Sequence, residues 1–148
     1  MVDLKYKRIV EDARPPEQSH VGDLFDVFSS ETKIIGIKPE IVGTGLIFDI
    51  PEGYGLRLYA RSSLSYKKGL LLTNSVGIID TNYKDEVKLL LSSILLIGQS
   101  NDFNVKVEIE KGERIGQIEI VKLIDTRLVE VDEIDKTNDR KGGFGSTD

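Results

Sequence analysis

Short runs of alternating apolar and polar residues occupy most of this chain, and turn-forming residues separate them. Residues 2–10 alternate loosely and predict a first strand. Residues 11–20, E-D-A-R-P-P-E-Q-S-H, are a polar connection stiffened by Pro15 and Pro16. Residues 22–29, G-D-L-F-D-V-F-S, set Leu24, Asp26 and Phe28 on one face of a strand against Phe25 and Val27 on the other. Residues 33–38, 40–50 and 54–60 predict further strands, punctuated by Pro39, Gly43, Gly45, Pro51, Gly53 and Gly55. Residues 66–69 predict one helical turn, the only helix in the pattern. The most apolar run, residues 86–98, is short enough and rich enough in turn signals at its ends to predict a buried strand pair turning near Ser92–Ser93. Val105, Val107 and Ile109 alternate with Lys106, Glu108 and Glu110, and K-G-E-R at 111–114 makes the next turn. I-G-Q-I-E-I-V-K-L then returns as a strand with Gln117 on the face opposite Ile118, and residues 128–134 predict a last short strand. Ten or more short strands with almost no helix predict an all-β barrel or jelly-roll-like sandwich.

The centre of this pattern is residues 73–87, T-N-S-V-G-I-I-D-T-N-Y-K-D-E-V, which reads as two extended arms joined by a tight turn. Asn74, Gly77, Asp80, Asn82 and Tyr83 are residue types that make turns or bind ligands. Asp80 ends the apolar arm V-G-I-I, where a partly desolvated, rigidly held carboxylate would suit a general base. Taken alone, the stretch is better explained as a β-hairpin with a capping aspartate. Asp26, inside an apolar strand, is equally readable as an exposed edge carboxylate or as a residue aimed at a polar site. Arg61, Ser62 and Ser63 supply a guanidinium fork and hydroxyls that suit phosphate, although an isolated R-S-S is more often a salt bridge with serine caps. From Asp135 onward the chain is D-K-T-N-D-R-K-G-G-F-G-S-T-D, too polar to fold by itself. Such an end is either a disordered terminus or an arm that orders over a ligand, with Arg140 and the G-G-F-G-S-T backbone around phosphates and Phe144 stacked on a ring. This division sets a folded domain at 1–134 and an arm at 135–148.

Composition narrows the chemistry. The 148 residues fit one domain with a real core, 39% apolar and 30% charged. A net charge of −5 argues against nucleic acid as the main partner but leaves small anions open. With no cysteine and only His20, thiolate chemistry, a poly-His metal site and a Ser-His-Asp triad drop out. No run approaches the roughly 20 apolar residues of a membrane span and the start has no apolar signal core, so no membrane partner and a cytoplasmic location are expected.

Five ordered stretches resemble the motifs of the trimeric dUTP pyrophosphatase (dUTPase) family over nearly the whole chain. Gly77-Ile78-Ile79-Asp80-Thr81-Asn82-Tyr83-Lys84-Asp85 resembles G-V-I-D-x-x-Y-x-G, and Gly142-Gly143-Phe144-Gly145-Ser146-Thr147 after Arg140 resembles R-G-x-G-G-F-G-S-T-G. Ala60-Arg61-Ser62-Ser63 resembles P-R-S-G/S, and Gly112-Glu113-Arg114-Ile115-Gly116-Gln117 resembles G-x-R-I-A-Q. The first motif, A-G-x-D-L, is matched least: Asp23-Leu24-Phe25-Asp26-Val27 lacks its Ala-Gly pair, though Asp26 fits its aspartate. G-D-x-x-D-L variants occur in phage-borne members, so the resemblance extends to a phage or prophage type. Asp85 stands where the family has glycine, Ala60 where it has proline, and Lys141 follows Arg140 with the spacing one residue short.

The resemblance implies a distorted jelly-roll/β-clip barrel, a homotrimer with a swapped C-terminal arm, and hydrolysis of dUTP to dUMP and pyrophosphate by water attack at the α-phosphorus. It implies Asp80 as general base and a uracil and deoxyribose slot formed by Asn74, Gly77, Ile79, Tyr83 and Phe144. Arg61, Ser62, Ser63, Gln117, Arg140, Gly145, Ser146 and Thr147 would bind the phosphates, with Mg²⁺ as cofactor and Asp26 touching its water shell. Tyr83 would exclude a 2′-hydroxyl. In the family, sites lie between subunits, motifs one, two and four coming from one chain, three from a second and five from a third. Two alternatives remain beside it. A dCTP deaminase would share the R-S-S-L and I-D core, but its glutamate position is Leu90 here, which cannot move protons. A non-catalytic nucleotide-sensing regulatory binder would keep the pocket but has no use for Asp80.

Overall fold

The computed structural model describes residues 1–94 and 106–137. Among them are eleven strands, β1 (Lys5–Arg8), β2 (Phe25–Phe28), β3 (Lys33–Ile35), β4 (Glu40–Gly43), β5 (Leu46–Asp49), β6 (Tyr54–Ala60), β7 (Leu70–Leu72), β8 (Gly77–Ile79), β9 (Lys88–Ser93), β10 (Val107–Ile109) and β11 (Arg114–Lys122), and one helix, α1 (Ser62–Lys68). They form a four-stranded sheet β2-β11-β6-β8, a three-stranded sheet β4-β9-β7, and the pairs β1-β5 and β10-β3. Every pairing is antiparallel. The architecture is all-β and jelly-roll-like, as expected, with separate open sheets rather than a closed barrel among the described residues. Inward residues of both larger sheets, including Val27, Val42, Leu56, Leu58, Leu89, Leu91, Ile115 and Ile118, make one buried core, the outcome that alternation along each strand dictates.

Several expected elements change on folding. Residues 40–50 form two strands because Thr44–Gly45 break the run: Gly45 sits at φ 69°, and a Cβ there would come 2.7 Å from the Ala13 Cβ. The Gly45 N–H donates to Glu86 Oε1 at 2.7 Å and Thr44 Oγ1 donates to the Val87 carbonyl at 2.7 Å. Residues 73–87 are not a hairpin. β7 pairs with β9 while β8 pairs with β6, so the turn between them carries the chain from one sheet to the other. The apolar run does not turn at Ser92–Ser93. β9 runs straight through both serines, opposite Leu71 and Leu70, and the Ser93 N–H donates to the Gly36 carbonyl at 2.8 Å; residues 95–98 of the expected second strand lie outside the described residues. The helix starts at Ser62 rather than Tyr66, after an extended Arg61, and stops at Gly69 in the left-handed region at φ 60°. No strand forms at 128–134. Leu128 and Ile134 stand 94% and 72% exposed, because these residues meet no sheet edge in the single chain.

Candidate active site

The first cluster of predicted site residues gathers around Asp26. β11 lies between β2 and β6, with a register shift between Arg114 and Gly116 that sets Gln117 opposite both Asp26 and Tyr59. Asp26 is 3% exposed, so it is not an edge carboxylate in water. Its Oδ1 accepts from Gln117 Nε2 at 3.1 Å and pairs with Arg61 Nε at 3.3 Å, while its Oδ2 meets Arg114 Nε at 3.5 Å. A buried carboxylate needs such partners, since desolvation without them costs several kcal/mol. The guanidinium of Arg61 is thereby anchored by its Nε, which leaves its outer edge, on a side chain 25% exposed, for an anion. Ser62 and Ser63 open α1, and Leu64 fixes the helix in the core.

Arg114, Glu17 and Arg14 join this cluster without having been singled out in the sequence. Arg114 Nη2 pairs with Glu17 Oε2 at 3.4 Å, and Arg14 Nη2 donates to Glu17 Oε1 at 2.6 Å. Arg14 also lies 3.7 Å over the Phe28 ring and donates to the Gly112 carbonyl at 3.1 Å. Chiefly the Arg14 hydrogen bond holds the Glu17 carboxyl below its ordinary value against the opposing effect of desolvation, with the Arg14 charge and the hydrogen bond and charge of Arg114 adding to it. Arg114 had a signal, its place inside G-x-R-I-A-Q. Glu17 had none, because its position depends on a two-way backbone bridge to Asp26 (2.7 and 3.0 Å) that no local pattern encodes. Beside the cluster, a cavity of about 360 Å³ is lined by Arg14, Ser63, Lys67, Lys68, Glu113 and Arg114 among others.

The second cluster sits on the β7–β8 turn and the end of β8. Ser75, the only non-glycine described residue at positive φ (62°), tightens the turn and leaves Asn74 exposed. Gly77 is buried against β6; a Cβ there would lie 3.0 Å from the Leu58 Cβ, so the strand approach itself demands glycine. Ile79 faces the core at 8% exposure, which leaves its backbone for a ligand, the kind of contact expected of this stretch. Asp80 follows directly. Its carbonyl accepts from the Tyr83 N–H at 3.0 Å, and Tyr83 OH donates to the Glu86 carbonyl at 3.0 Å. The Asp80 side chain is exposed and meets no hydrogen-bond or ion-pair partner among the described residues. The expected partial desolvation is absent among the described residues, because none of their elements covers that end of β8.

The two clusters do not meet within one chain. β8 pairs with β6 through Leu58↔Gly77 and Leu56↔Ile79, so Asp80 lies beyond the start of β6, near Gly55, whereas Arg61 lies just past its end. Six residues of strand at about 3.3 Å each separate them by roughly 20 Å. Both lie on the same face of the four-stranded sheet. Asp26, Gln117 and Tyr59 stand in one row across it, and Glu119, Arg57 and Ile78 in the next. Tyr59 OH donates to Glu119 Oε2 at 2.8 Å, and Ile78 is 68% exposed. Arg140, Phe144, Gly145, Ser146 and Thr147 lie outside the described residues.

No group of three or more His, Cys, Asp or Glu among the described residues forms a cage for a metal ion. The carboxylate of Asp26 is engaged by three nitrogen donors, so it fits a cation's outer water at most. The donor set that does suit Mg²⁺ is oxygen from phosphates and water. Among the described residues no helix is long and apolar enough to cross a membrane.

A family model described as dUTPase matches residues 14–148. The chain is similar to a deoxyuridine 5'-triphosphate nucleotidohydrolase of Nautilia profundicola, 38% identical over 148 residues that cover 97% of each chain. Among solved structures it is similar to a mutant Staphylococcus bacteriophage 80alpha dUTPase with dUpNHpp, at a TM-score of 0.83 and 28% identity over 99% of this chain and 98% of that one. It is also similar to a mutant dUTPase from phage phi11 of S. aureus, described with a structural Mg(II) ion, at a TM-score of 0.74 and 26% identity over 89% and 98% of the two chains.

Proposed function

The chain belongs to the dUTPase family, and from that premise we propose that it hydrolyses dUTP to dUMP and pyrophosphate at a site built from the two clusters above. The observation that carries the site is the presence of an anchored cluster, Arg61 and Gln117 held on buried Asp26, together with an exposed carboxylate at Asp80 that has no partner among the described residues. The reaction limits uracil incorporation into DNA and supplies dUMP.

A water oxygen forms a bond to the α-phosphorus while the bond to the bridging oxygen breaks and pyrophosphate leaves. Asp80 takes the water's proton, a task suited to a carboxylate held by a turn and shielded from bulk solvent once the site assembles. The triphosphate carries roughly four negative charges, so cations placed in advance lower the barrier. Arg61, with Ser62, Ser63 and Gln117, supplies fixed donors, and the arm adds Arg140, Gly145, Ser146 and Thr147. Mg²⁺ would be held by phosphate oxygens and water, with Asp26 touching its outer water at most, and would offset charge on those oxygens.

The turn from Asn74 to Tyr83 receives uracil on fixed backbone groups, whose pattern rejects cytosine. Tyr83 lies under deoxyribose and Phe144 covers the base. Because Asp80 and Arg61 stand roughly 20 Å apart along one strand, Asp80 works with the cationic cluster of a neighbouring copy. A homotrimer that shares its three sites, each closed by the arm of the third chain, satisfies this geometry.

The test is Asp80→Asn, assayed for pyrophosphate release from dUTP and for binding of a non-hydrolysable imido analogue. Turnover should fall by at least about 10²-fold, the ordinary worth of a general base, while analogue affinity holds. A variant that turns over dUTP at the wild-type rate sinks the assignment.

A further inference from the structure

Glu17 and Asp26 face each other across an antiparallel bridge, with backbone hydrogen bonds of 2.7 and 3.0 Å in both directions. Directly opposed residues carry their side chains side by side, and like charges there repel. Here the repulsion is absorbed by one arginine. Arg114 places Nε on Asp26 Oδ2 at 3.5 Å and Nη2 on Glu17 Oε2 at 3.4 Å, so its fork is divided between two carboxylates. The division determines what Asp26 can give elsewhere. Its Oδ1 serves Arg61 Nε and Gln117 Nε2 while Oδ2 takes one contact among the described residues, from Arg114 Nε. Arg14, braced on the Phe28 ring and on the Gly112 carbonyl, holds the other oxygen of Glu17 at 2.6 Å and so fixes the far end of the chain of charges.

We propose that Glu17 is a positioning residue for triphosphate recognition: it restrains Arg114 from closing both prongs on Asp26, and so keeps Asp26 available to orient Arg61 and Gln117. This rests on the phosphate role given above to Arg61 and Gln117. Without the Glu17 charge, Arg114 gains nothing by reaching outward. A guanidinium fork prefers bidentate engagement of one carboxylate, so Arg114 turns onto Asp26 and competes with Arg61 there. Arg61 and Gln117 then reach the phosphates from a broader set of rotamers, and the cost of ordering them falls on binding. The uracil slot that serves this cluster is carried by the β7–β8 turn of a neighbouring copy and built on its backbone groups, so it keeps its shape.

Glu17→Gln removes the charge and keeps the shape of a side chain 39% exposed, so the fold is retained. Affinities for the imido analogue of dUTP and for dUMP are measured by calorimetry on the full chain, beside urea unfolding. Analogue affinity should drop about three- to tenfold, as for one or two loosened side chains, with dUMP affinity within twofold of wild type. Glu17→Asp should restore part of the loss. A double cycle with Arg61→Lys should show the two losses to be non-additive. An unchanged ratio of analogue to dUMP affinity in Glu17→Gln overturns the positioning role, whether or not stability falls. Failure of the wild-type protein itself to bind the analogue would instead overturn the function on which the role rests.

Discussion

Gly116→Ala separates what the family pattern suggests from what this core allows. The fourth motif has alanine at this place, and on chain entropy alone Gly→Ala at a permitted backbone conformation stabilises by about 0.4–1 kcal/mol. The structure predicts the opposite sign. A Cβ on Gly116 would lie 2.9 Å from Leu89 Cδ2, 3.0 Å from the Tyr59 carbonyl and 3.3 Å from Leu58 Cδ1. Leu89 is fully buried and Leu58 is 1% exposed, so neither side chain has free space to enter. The Tyr59 carbonyl belongs to β6, which pairs with β11 over seven consecutive positions, and cannot retreat without opening the ladder. Overfilling a tight core site costs about 1–3 kcal/mol. The net effect is therefore a loss of roughly 0.5–2 kcal/mol once the entropic gain is subtracted. Urea unfolding of both proteins at one concentration reads it: with a slope of about 1–3 kcal/mol per molar, a 1 kcal/mol loss moves the midpoint down by roughly 0.3–1 M. The shift also has a functional signature. β11 carries Gln117 one residue on, so a displaced strand weakens its bond to Asp26 and lowers kcat/KM. A variant as stable as wild type, or more so, would show that the core at Leu58 and Leu89 yields more readily than the fully buried contacts imply.

Other outcomes follow from the site. If Asp80 and Arg61 act in different copies, the inactive variants Asp80→Asn and Arg61→Ala should complement each other when mixed after dissociation. Random assortment then leaves about a quarter of the sites intact, and pyrophosphate release at background would place both residues in one chain's site. Deleting residues after Thr137 should cut turnover by orders of magnitude with the unfolding curve unchanged, since Ala13 to Ile118 supply the buried core cluster; full activity in the truncated protein would refute the closing arm. The carboxyls of Asp12, Glu17 and Asp49 are each held below their ordinary values, first by hydrogen bonds from Lys111, Arg14 and Lys84 respectively. A carboxyl depressed in the folded state contributes stability that is present above its unfolded value and lost as pH falls through the folded one. Stability should thus hold steady down to about pH 4 and decline only below it, as thermal unfolding between pH 3 and pH 6 would check; a decline beginning near pH 6 would contradict these assignments.

The sequence was most legible where one local rule acts. Alternation located β6 to the residue, residues 54–60, and placed Gln117 away from the core-facing Ile118. It misread the stretch around Asp80 because a hairpin and a crossing between two sheets have the same local pattern, two apolar arms and a turn. Only the partners differ, β9 for one arm and β6 for the other, and partners are long-range facts. The serines at 92 and 93 looked like a turn, yet they continue a strand because Leu70 and Leu71 lie opposite them. Leu128 to Ile134 alternated well enough to predict a strand, but alternation without a free sheet edge beside it makes none. Of the candidate site, Asp26, Arg61 and Gln117 were named by type and order, and the structure brings these three together. Glu17 stayed hidden because its importance arises from standing opposite a residue nine positions later in the chain, across a bridge outside any regular strand.

One strand explains both the location and the incompleteness of the site. β6 is long enough to span the sheet, and its two ends carry different chemistry: cations gathered on Asp26 at one, a bare carboxylate beside the turn at the other. Within one chain this separation prevents Asp80 from pairing with Arg61, an ion pair that would hold the base and the phosphate ligand against each other. At about 20 Å the attraction between them in water is well under 1 kcal/mol and further screened by salt. The cationic end instead satisfies itself with Asp26 and Glu17, carboxylates that are fixed by backbone bonds, and so stays ordered without substrate. Asp80 has no partner among the described residues, which on the proposed mechanism leaves it available to a water molecule. In the proposed assembly, a second copy's Asp80 would meet the first copy's Arg61 across the triphosphate, with the substrate keeping base and cation apart. The distance along β6 is thus what would let one chain carry both the proposed base, Asp80, and the proposed phosphate ligand, Arg61, without either neutralising the other.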